Sequence, residues 1–270
     1  MTDDYFIGVH ARELGRLREQ HAAWEPETRA LWQRAGFSAG QHIADLGSGP
    51  GFSAFDLAGM VGPSGRVTAL DKAAPFVDFL SAEAKARGLM NIDAVVADIT
   101  QTDALAAPLD GAFCRFFLAF LIGDLDQVLA RIHKSLKPGG VFAAMEYLTL
   151  GSTTCLPPMR GFDAHTRAWQ QYYVAHGGDT EVGRYLPQKL ASAGFSVVEA
   201  VSVGGMAGPL HRWWKWWGRL IDDFGEKLAA DGLMSADEVL ALRKDWADAS
   251  RQPGAYIHTP LLLQVVARKD

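Results

Sequence analysis

The chain has 270 residues, 49% of them hydrophobic, and its 26 Lys and Arg against 31 Asp and Glu give a formal net charge of −5. This composition is typical of one globular domain, or one domain with a sizeable insertion, and it excludes the strongly basic balance of a nucleic-acid-binding protein. Cys114 and Cys155 are too few for a disulfide framework. Because the chain also lacks a signal-peptide pattern and a membrane-spanning run, we expect a cytoplasmic protein with no membrane span.

The residues before the first strand predict two helices, Val9–Ala23 and Pro26–Ala35. Leu14, Leu17 and His21 recur at helical spacing, and proline is favoured in the first turn of a helix. Residues 1–39 are therefore expected to form a separate helical unit.

The stretch His42–Ser53 is the most informative part of the chain. A short apolar run ends at Asp45 and is followed by three glycines at alternate positions, beginning at Gly47, and then by a helical pattern. Glycine permits positive φ and lets a ligand approach the backbone closely, and the helix start presents free N–H groups. The stretch predicts a nucleotide-type cofactor site at the edge of an α/β sheet.

Two common nucleotide sites do not match this loop. A dinucleotide fingerprint requires a third glycine where this chain has Phe52, and a P-loop requires a lysine that is absent between Gly47 and Met60. What remains is an acid, Asp45, two residues before the first glycine. An acid at that position would repel a pyrophosphate and suits a cofactor with a cationic part.

Further acids follow at the ends of the next strands. Asp71 ends the strand Gly65–Asp71 and lies about 20 residues beyond the loop, the distance expected for an acid that binds ribose hydroxyls. Asp98 and Ile99 end the strand Ile92–Ile99. The pattern continues with a strand (Gly111–Phe117), a helix (Asp124–Leu136), a turn (Lys137–Gly140) and a fifth strand (Val141–Tyr147).

In their order and spacing these segments resemble class I S-adenosylmethionine-dependent methyltransferases over roughly residues 40–150, and the L-K-P-G-G-V-F segment before strand five is similar too. The resemblance implies that Asp45 helps to hold the methionine ammonium, that Asp98 accepts from the adenine amino group while Ile99 packs on the ring, and that Arg115 meets the cofactor through its backbone. It also implies a helical cap over the cofactor. The cofactor-binding residues that it implies are Asp45, Gly47, Ser48, Gly49, Asp71, Lys72, Asp98, Ile99 and Arg115, with Tyr5 and Gln20 of the cap near the methionine end.

The segment after strand four departs from one branch of that family. Methyltransferases that act on base amino groups place an Asn/Asp-Pro-Pro-Tyr/Phe turn there, whereas this chain has Arg115-Phe116-Phe117-Leu118. The segment resembles small-molecule enzymes of the quinone-biosynthesis and secondary-metabolite type. Chemistry on a flipped base, and with it a nucleic-acid partner, is therefore not expected.

Residues 151–270 are predicted to carry the substrate side. Roughly 50 residues separate strand six from the last strand, a gap that predicts an insertion with its own structure, at about 206–258. One of its helices has an apolar stripe with Trp213, Trp214 and Trp217, which is typical of core packing or of a lid over an apolar pocket. Trp216 falls off the stripe and is expected to face solvent, a partner chain or the pocket, and the flanking basic residues leave a membrane-surface helix as a lesser alternative. The elements expected here are a loop (151–161), helices (162–176, 181–193, 209–230, 235–249) and strands six (195–203) and seven (260–268).

We therefore expect an α/β protein with a Rossmann-like, seven-stranded, mostly parallel sheet flanked by helices, an N-terminal helical cap and a helical insertion before the last strand. The expected function is methyl transfer from S-adenosylmethionine to a small, fairly apolar acceptor, without a metal. The alternatives are a cofactor-bound enzyme that catalyses a cyclisation or decarboxylation, and a non-catalytic cofactor-binding partner protein. A homodimer and the identity of the acceptor atom stay open, and the weak candidates for a general base are His211, Glu146 and His165.

Overall fold

The computed structural model describes residues 11–101, 105 and 108–270, so the expectation for Tyr5 lies outside the described residues. The helices are α1 (Ala11–Arg34), α2 (Phe52–Val61), α3 (Ala74–Ala86), α4 (Leu125–Ser135), α5 (Arg160–Ala175), α6 (Leu186–Ser192), α7 (Arg212–Ala230) and α8 (Ala236–Ala249). The strands are β1 (His42–Leu46), β2 (Arg66–Asp71), β3 (Ile92–Val96), β4 (Leu109–Arg115), β5 (Leu136–Thr149), β6 (Thr154–Leu156), β7 (Phe195–Val203), β8 (Met206–Ala207), β9 (Tyr256–His258) and β10 (Leu261–Lys269).

Seven strands form the main sheet in the order β3-β2-β1-β4-β5-β10-β7. The first five pair in parallel, and β10 runs antiparallel to both β5 and β7. The predicted fold class is confirmed. Because the carboxyl ends of the parallel strands meet at one edge of the sheet, the acids predicted at those ends come together there.

The described part of the N-terminal unit, residues 11–39, contains one helix where two were predicted, and that prediction is wrong. Helix α1 continues through Pro26, although proline lacks the N–H that the helical hydrogen bond needs. Trp24 and Trp32, one on each side of the proline, are both fully buried. Their packing holds the two halves in one helix and offsets the lost hydrogen bond.

The turn predicted at Lys137–Gly140 lies inside a strand. Strand β5 begins at Leu136, which pairs with Leu109, and the register then shifts before Gly111 pairs with Val141. The extra residues form an irregularity in the strand that brings Gly139 to a φ of 75°. The prediction of a turn before the fifth strand is therefore wrong, because the strand starts earlier than expected and includes these residues.

The loop predicted at 151–161 contains β6, and this prediction is also wrong in part. Strands β6, β9 and β8 form a small antiparallel sheet in that order, and β6 has three residues and β8 only two. Strands so short are too brief to show an alternation of apolar and polar residues in the sequence, and their pairing is decided by tertiary contacts.

Within the described part of the chain, no helix has the length and apolarity to cross a membrane.

Helices α7 and α8 lie between β7 and β10, where an insertion was predicted. All four tryptophans at 213, 214, 216 and 217 are buried. Trp216 is only 1% exposed, with its ring 5.3 Å from that of Trp24 and 6.4 Å from that of Phe116. The expectation that Trp216 faces solvent, a partner chain or the pocket is wrong, because α7 is covered by α1 as well as by α5 and α8. This burial also removes the apolar face that a membrane-surface helix needs.

Candidate cofactor and substrate site

A cavity of about 390 Å³ opens at the carboxyl ends of the parallel strands. One part of its wall comes from the glycine loop after β1 and from the acids after β2 and β3. The other part comes from the segment after β4, the end of β5 and the helices α1, α5 and α7. The cavity thus joins the predicted cofactor loop to a second region that the sequence did not define.

The glycine loop requires its glycines. Gly47, Gly49 and Gly51 have φ values of 64°, 52° and 84°, which other residues adopt only at a cost. A Cβ at Gly47 would overlap the Phe117 ring, and one at Gly51 would overlap the Leu80 side chain. The loop therefore packs tightly on its outer side while its backbone lines the cavity.

Asp71 supports this loop from the end of β2. Its carboxylate accepts hydrogen bonds of 2.8 Å from the N–H groups of Gly49 and Ala73. Burial raises the pKa of Asp71, and these two backbone donors oppose that shift. A carboxylate has about four acceptor sites, and the backbone of Lys72 also donates to Asp71, so about one site remains for a ligand in the cavity.

Asp45, at the end of β1, is a buried acid with one unpaired carboxyl oxygen among the described residues. It is 2% exposed, and its Oδ2 atom has no hydrogen-bond partner among the described residues. Burial raises the pKa of Asp45 to about 7, although the nearby Arg115 acts in the opposite direction. Buried polar atoms are nearly always paired, so an unpaired carboxyl in a cavity wall points to a ligand with a donor or a positive charge.

The predicted adenine-side residues also line the cavity. One oxygen of Asp98 accepts from the Thr100 N–H at 2.8 Å and from the Thr100 hydroxyl at 2.7 Å. Ile99 is buried and apolar, and Lys72 is exposed at the cavity rim. Both contacts use the same oxygen of the Asp98 carboxylate and fix its orientation.

Arg115 lines the cavity, and its side chain reaches two residues of α1, a contact that the sequence analysis missed because it assigned only the backbone. Its Nη1 donates to the Thr28 hydroxyl at 2.7 Å, and its Nη2 lies 3.2 Å from His21 Nδ1. His21 Nε2 in turn lies 3.1 Å from Asp56 Oδ2. Burial lowers the pKa of Arg115 to about 10, so the guanidinium stays charged at neutral pH.

The second region of the cavity is lined by aromatic rings, and we call it the aromatic chamber. Ring centroids are 5.0 Å apart for Phe116 and Tyr147, and 5.0 Å apart for Phe120 and Tyr173. Arg16, at its edge, is held by Glu13 through two hydrogen bonds of 2.6 and 2.7 Å, and its Nη1 donates to Gln20. The chamber consists of Phe116, Phe120, Tyr147, Trp169, Tyr173 and Phe224.

None of the three candidate bases lines the cavity. Glu146 is fully buried behind the segment after β4 and accepts hydrogen bonds of 2.8 Å from the N–H groups of Phe117 and Leu118. His165 is buried beside Trp169, and burial lowers its pKa to about 4. His211 caps α7, where its Nδ1 accepts from the Trp213 N–H at 3.2 Å.

Among the described residues, no group of three or more His, Cys, Asp or Glu side chains is placed to hold a metal ion.

Comparison with known proteins decides the family. Residues 43–140 match the model of a methyltransferase domain. The chain is 30% identical over 184 residues to the ubiquinone/menaquinone biosynthesis C-methyltransferase UbiE of Rubrivivax gelatinosus (strain NBRC 100245 / IL144), a match that covers 62% of this chain and 70% of that protein. The chain belongs to the class I S-adenosylmethionine-dependent methyltransferases. The cofactor of this family is S-adenosylmethionine.

Other methyltransferase-fold proteins are also similar. The demethylmenaquinone methyltransferase of Lactococcus lactis subsp. lactis (strain IL1403) is 33% identical over 132 residues, a match that covers 47% of this chain and 49% of that protein. The chain thus spans about half the length of that relative. The solved structure of the [4+2]-cyclase SpnF is similar in fold, with a TM-score of 0.56 and 20% identity over 90% of this chain and 80% of that chain.

The cavity fits this cofactor on its own chemistry. An ammonium group is the partner that the Oδ2 atom of Asp45 lacks, and ribose hydroxyls are donors suited to the acceptor site that Asp71 retains. The Ser48 hydroxyl, also in the cavity wall, is a second buried polar atom without a partner among the described residues.

Proposed function

We propose that this methyltransferase transfers the methyl group to a small, fairly apolar acceptor that lies in the aromatic chamber. The observation that carries the proposal is the continuity of one cavity from the glycine loop to the chamber. Pockets for small molecules are mostly apolar and contain a few placed polar groups. The names of the two curated relatives, which refer to quinone biosynthesis, support an acceptor of this general kind.

The cofactor would lie along the first region of the cavity. In this proposal Asp45, Gly47, Ser48 and Gly49 hold the methionine end, with Gln20 of the cap beside it. Asp71 and Lys72 take the ribose side, and Asp98 and Ile99 take the adenine. Tyr5 remains a proposal for the same end. Arg115 belongs to this set.

The bound cofactor supplies the reactive methyl group on a sulfonium, so the chain's task is to orient the acceptor and to exclude water. Orientation alone can account for a large part of a rate enhancement. The rings of the chamber provide apolar walls for the acceptor, and their faces also attract a positive charge. Tyr147 and Tyr173 share a hydrogen bond between their side chains, which fixes two phenol groups in the chamber wall.

The wider organisation is part of the proposal. Residues 1–39 would act as the cap, 40–150 as the cofactor-binding core, and 151–270 as the substrate side with a helical lid at about 206–258. We also propose a cytoplasmic enzyme with a small-molecule partner and no nucleic-acid partner. A homodimer is left to a direct measurement of mass in solution.

The test is a screen of apolar aromatic acceptors with the purified protein, following S-adenosylhomocysteine and a methylated product by mass spectrometry. With an active acceptor, Phe120→Ala should raise KM about tenfold, since it removes a ring that packs on Tyr173. Val174→Ala, on the same helix as Tyr173 but 69% exposed, is the matched control and should leave KM unchanged. Binding of the cofactor without methylation of any acceptor would contradict the proposal. An acceptor that is converted without S-adenosylhomocysteine would favour a cyclisation or decarboxylation instead.

A further inference from the structure

The methionine end of the cofactor carries two charges, an ammonium and a carboxylate. A charge that leaves water for a protein cavity needs an opposite charge or several hydrogen bonds. Asp45 offers the negative partner for the ammonium. The carboxylate needs a cationic partner near Asp45.

Three Arg or Lys side chains from the described residues line the cavity, namely Arg16, Lys72 and Arg115. Arg16 is engaged by both oxygens of Glu13. Lys72 follows Asp71 at the exposed rim, on the ribose side. Arg115 ends β4, the strand that pairs with β1, and its charge acts on Asp45. We infer that the Arg115 guanidinium binds the carboxylate of the cofactor's methionine end.

The donors of Arg115 support this assignment. A guanidinium has five N–H donors, and within the described structure two contacts are made, to the Thr28 hydroxyl and to His21 Nδ1. Both partners are neutral groups, and no carboxylate of the described residues forms an ion pair with Arg115. A planar guanidinium with free donors is suited to bidentate binding of a carboxylate.

His21 and Asp56 hold the guanidinium in place. Because His21 Nδ1 accepts from Arg115, its Nε2 carries the hydrogen and donates to Asp56 Oδ2. Burial lowers the pKa of His21, which keeps the ring neutral and able to accept from an arginine. His21 and Asp56 are therefore positioning residues. Thr28 fixes the Nη1 end of the guanidinium.

The inference rests on the cofactor and not on the identity of the acceptor, so it is tested without any acceptor. Isothermal titration would compare S-adenosylhomocysteine with two ligands that lack the carboxylate: 5′-methylthioadenosine, and the decarboxylated form of S-adenosylhomocysteine, which keeps the amine. Arg115→Met should weaken S-adenosylhomocysteine about 10- to 100-fold and change both other ligands less than about twofold. Arg115→Lys keeps the charge but loses the paired N–H donors of the guanidinium. Its affinity for S-adenosylhomocysteine should lie between those of the unaltered protein and Arg115→Met.

Two outcomes would overturn the inference. Equal losses for all three ligands would mean that Arg115 only ties β4 to α1. Unchanged affinity for S-adenosylhomocysteine would mean that another group holds the carboxylate. Arg66→Met is the matched control, because it removes an exposed guanidinium that pairs with Asp93 and does not line the cavity; it should change the ratio of the S-adenosylhomocysteine and 5′-methylthioadenosine affinities less than about twofold. If Arg115→Met does not fold, the same ratio measured with Arg115→Lys decides.

Discussion

If Asp45 binds the ammonium as proposed, ligand affinity should be sensitive to pH. Burial raises its pKa to about 7 in the free protein, whereas pairing with an ammonium requires the ionised form. Below about pH 7 the ligand must displace a proton, so the affinity for S-adenosylhomocysteine should fall about tenfold for each further pH unit. Above about pH 7 Asp45 is ionised, and its contribution to the affinity for S-adenosylhomocysteine should become constant.

Titration calorimetry between about pH 5 and 8 measures this dependence. Asp45→Asn should bind more weakly and show a flatter profile, and 5′-methylthioadenosine, which has no ammonium, should be flat with the unaltered protein. An affinity for S-adenosylhomocysteine that does not change across this range would contradict the role assigned to Asp45.

Asp71 combines a structural task with the proposed ribose contact. Its carboxylate holds the N–H groups of Gly49 and Ala73, so Asp71→Ala removes both the support of the glycine loop and a charged acceptor. We expect cofactor affinity to fall by about an order of magnitude or more. Asp78→Ala, at an exposed acid of α3, is the control. Calorimetry that finds equal affinity for Asp71→Ala and the unaltered protein would refute the assignment.

Glu146 links the pH to the stability of the segment after β4. Its Oε1 holds the N–H groups of Phe117 and Leu118, next to Phe116, which has a φ of 53°. Such a φ is costly for a phenylalanine, so the carboxylate helps to keep a ring of the chamber in a strained position. Glu146 thus acts through this segment, which makes it a positioning residue.

Burial raises the pKa of Glu146 from 4.5 to about 7, so the folded protein binds a proton that the unfolded chain has lost. Its contribution to stability is complete below about pH 4.5 and is lost as the pH rises through about 7, a change on the order of 3 kcal/mol. Glu146→Gln should flatten this part of the stability profile, measured by urea unfolding at about pH 5 and pH 7.5. Parallel profiles for the two proteins would show that Glu146 does not titrate in this range.

At the scale of elements, glycines set the distance between α7 and α8. A Cβ at Gly225 would lie 2.6 Å from Val239 Cγ1, and one at Gly218 would lie 2.5 Å from Trp246 Nε1. Gly225→Ala should therefore destabilise the protein by about 1–3 kcal/mol. Gly59→Ala is the matched control, since no heavy atom would lie within 4 Å of its Cβ, and helix α2 should gain up to about 1 kcal/mol. Thermal unfolding of both variants checks the pair; an equal shift would contradict the packing argument.

The elements that the sequence predicts well are those with local signals. The apolar run of β1, the glycine loop and the acid at the end of β2 each carry their signal within a few residues, and their order defines the fold. Asp45 and Asp71 line the cavity for the same reason, because they end neighbouring parallel strands.

The features that the sequence missed depend on distant partners. Trp216 falls off the apolar stripe of α7, and it is buried by rings from distant segments, Trp24 of α1 and Phe116 after β4. A single stripe is a poor guide for a helix covered on several sides. The aromatic chamber combines rings from four separate segments, and the Arg115 side chain points to partners on α1. Neither arrangement has a local pattern.

At the scale of the whole molecule, α1 and α7 form one roof over the cavity. Arg12 pairs with Asp223 at 2.6 Å and with Glu226 at 3.0 Å. Arg212 donates to the Ala23 carbonyl at 2.7 Å and also pairs with Glu27. Since α1 carries Gln20 and His21 while α7 carries Phe224, this roof connects the cofactor region to the aromatic chamber. Access of the acceptor should then depend on how firmly the two helices are joined.

Arg212→Met tests the roof as a unit. The substitution removes the hydrogen bond to the Ala23 carbonyl. It also leaves the Glu27 carboxylate, whose Oε2 has no partner among the described residues, without its counter-charge. The expected loss of stability is on the order of 1.5–3 kcal/mol. We expect faster amide hydrogen exchange in α1 and α7 and an acceptor KM raised about tenfold. The affinity for 5′-methylthioadenosine should change less than about twofold, because its proposed contacts lie on the sheet edge. Lys244→Met breaks an exposed pair with Asp248 on α8 and should alter none of these quantities. This role of the roof would be contradicted if Arg212→Met weakened the acceptor and 5′-methylthioadenosine equally and amide exchange in α1 stayed slow. The roof would then not be a unit separate from the cofactor region, and the acceptor would have to enter by another route.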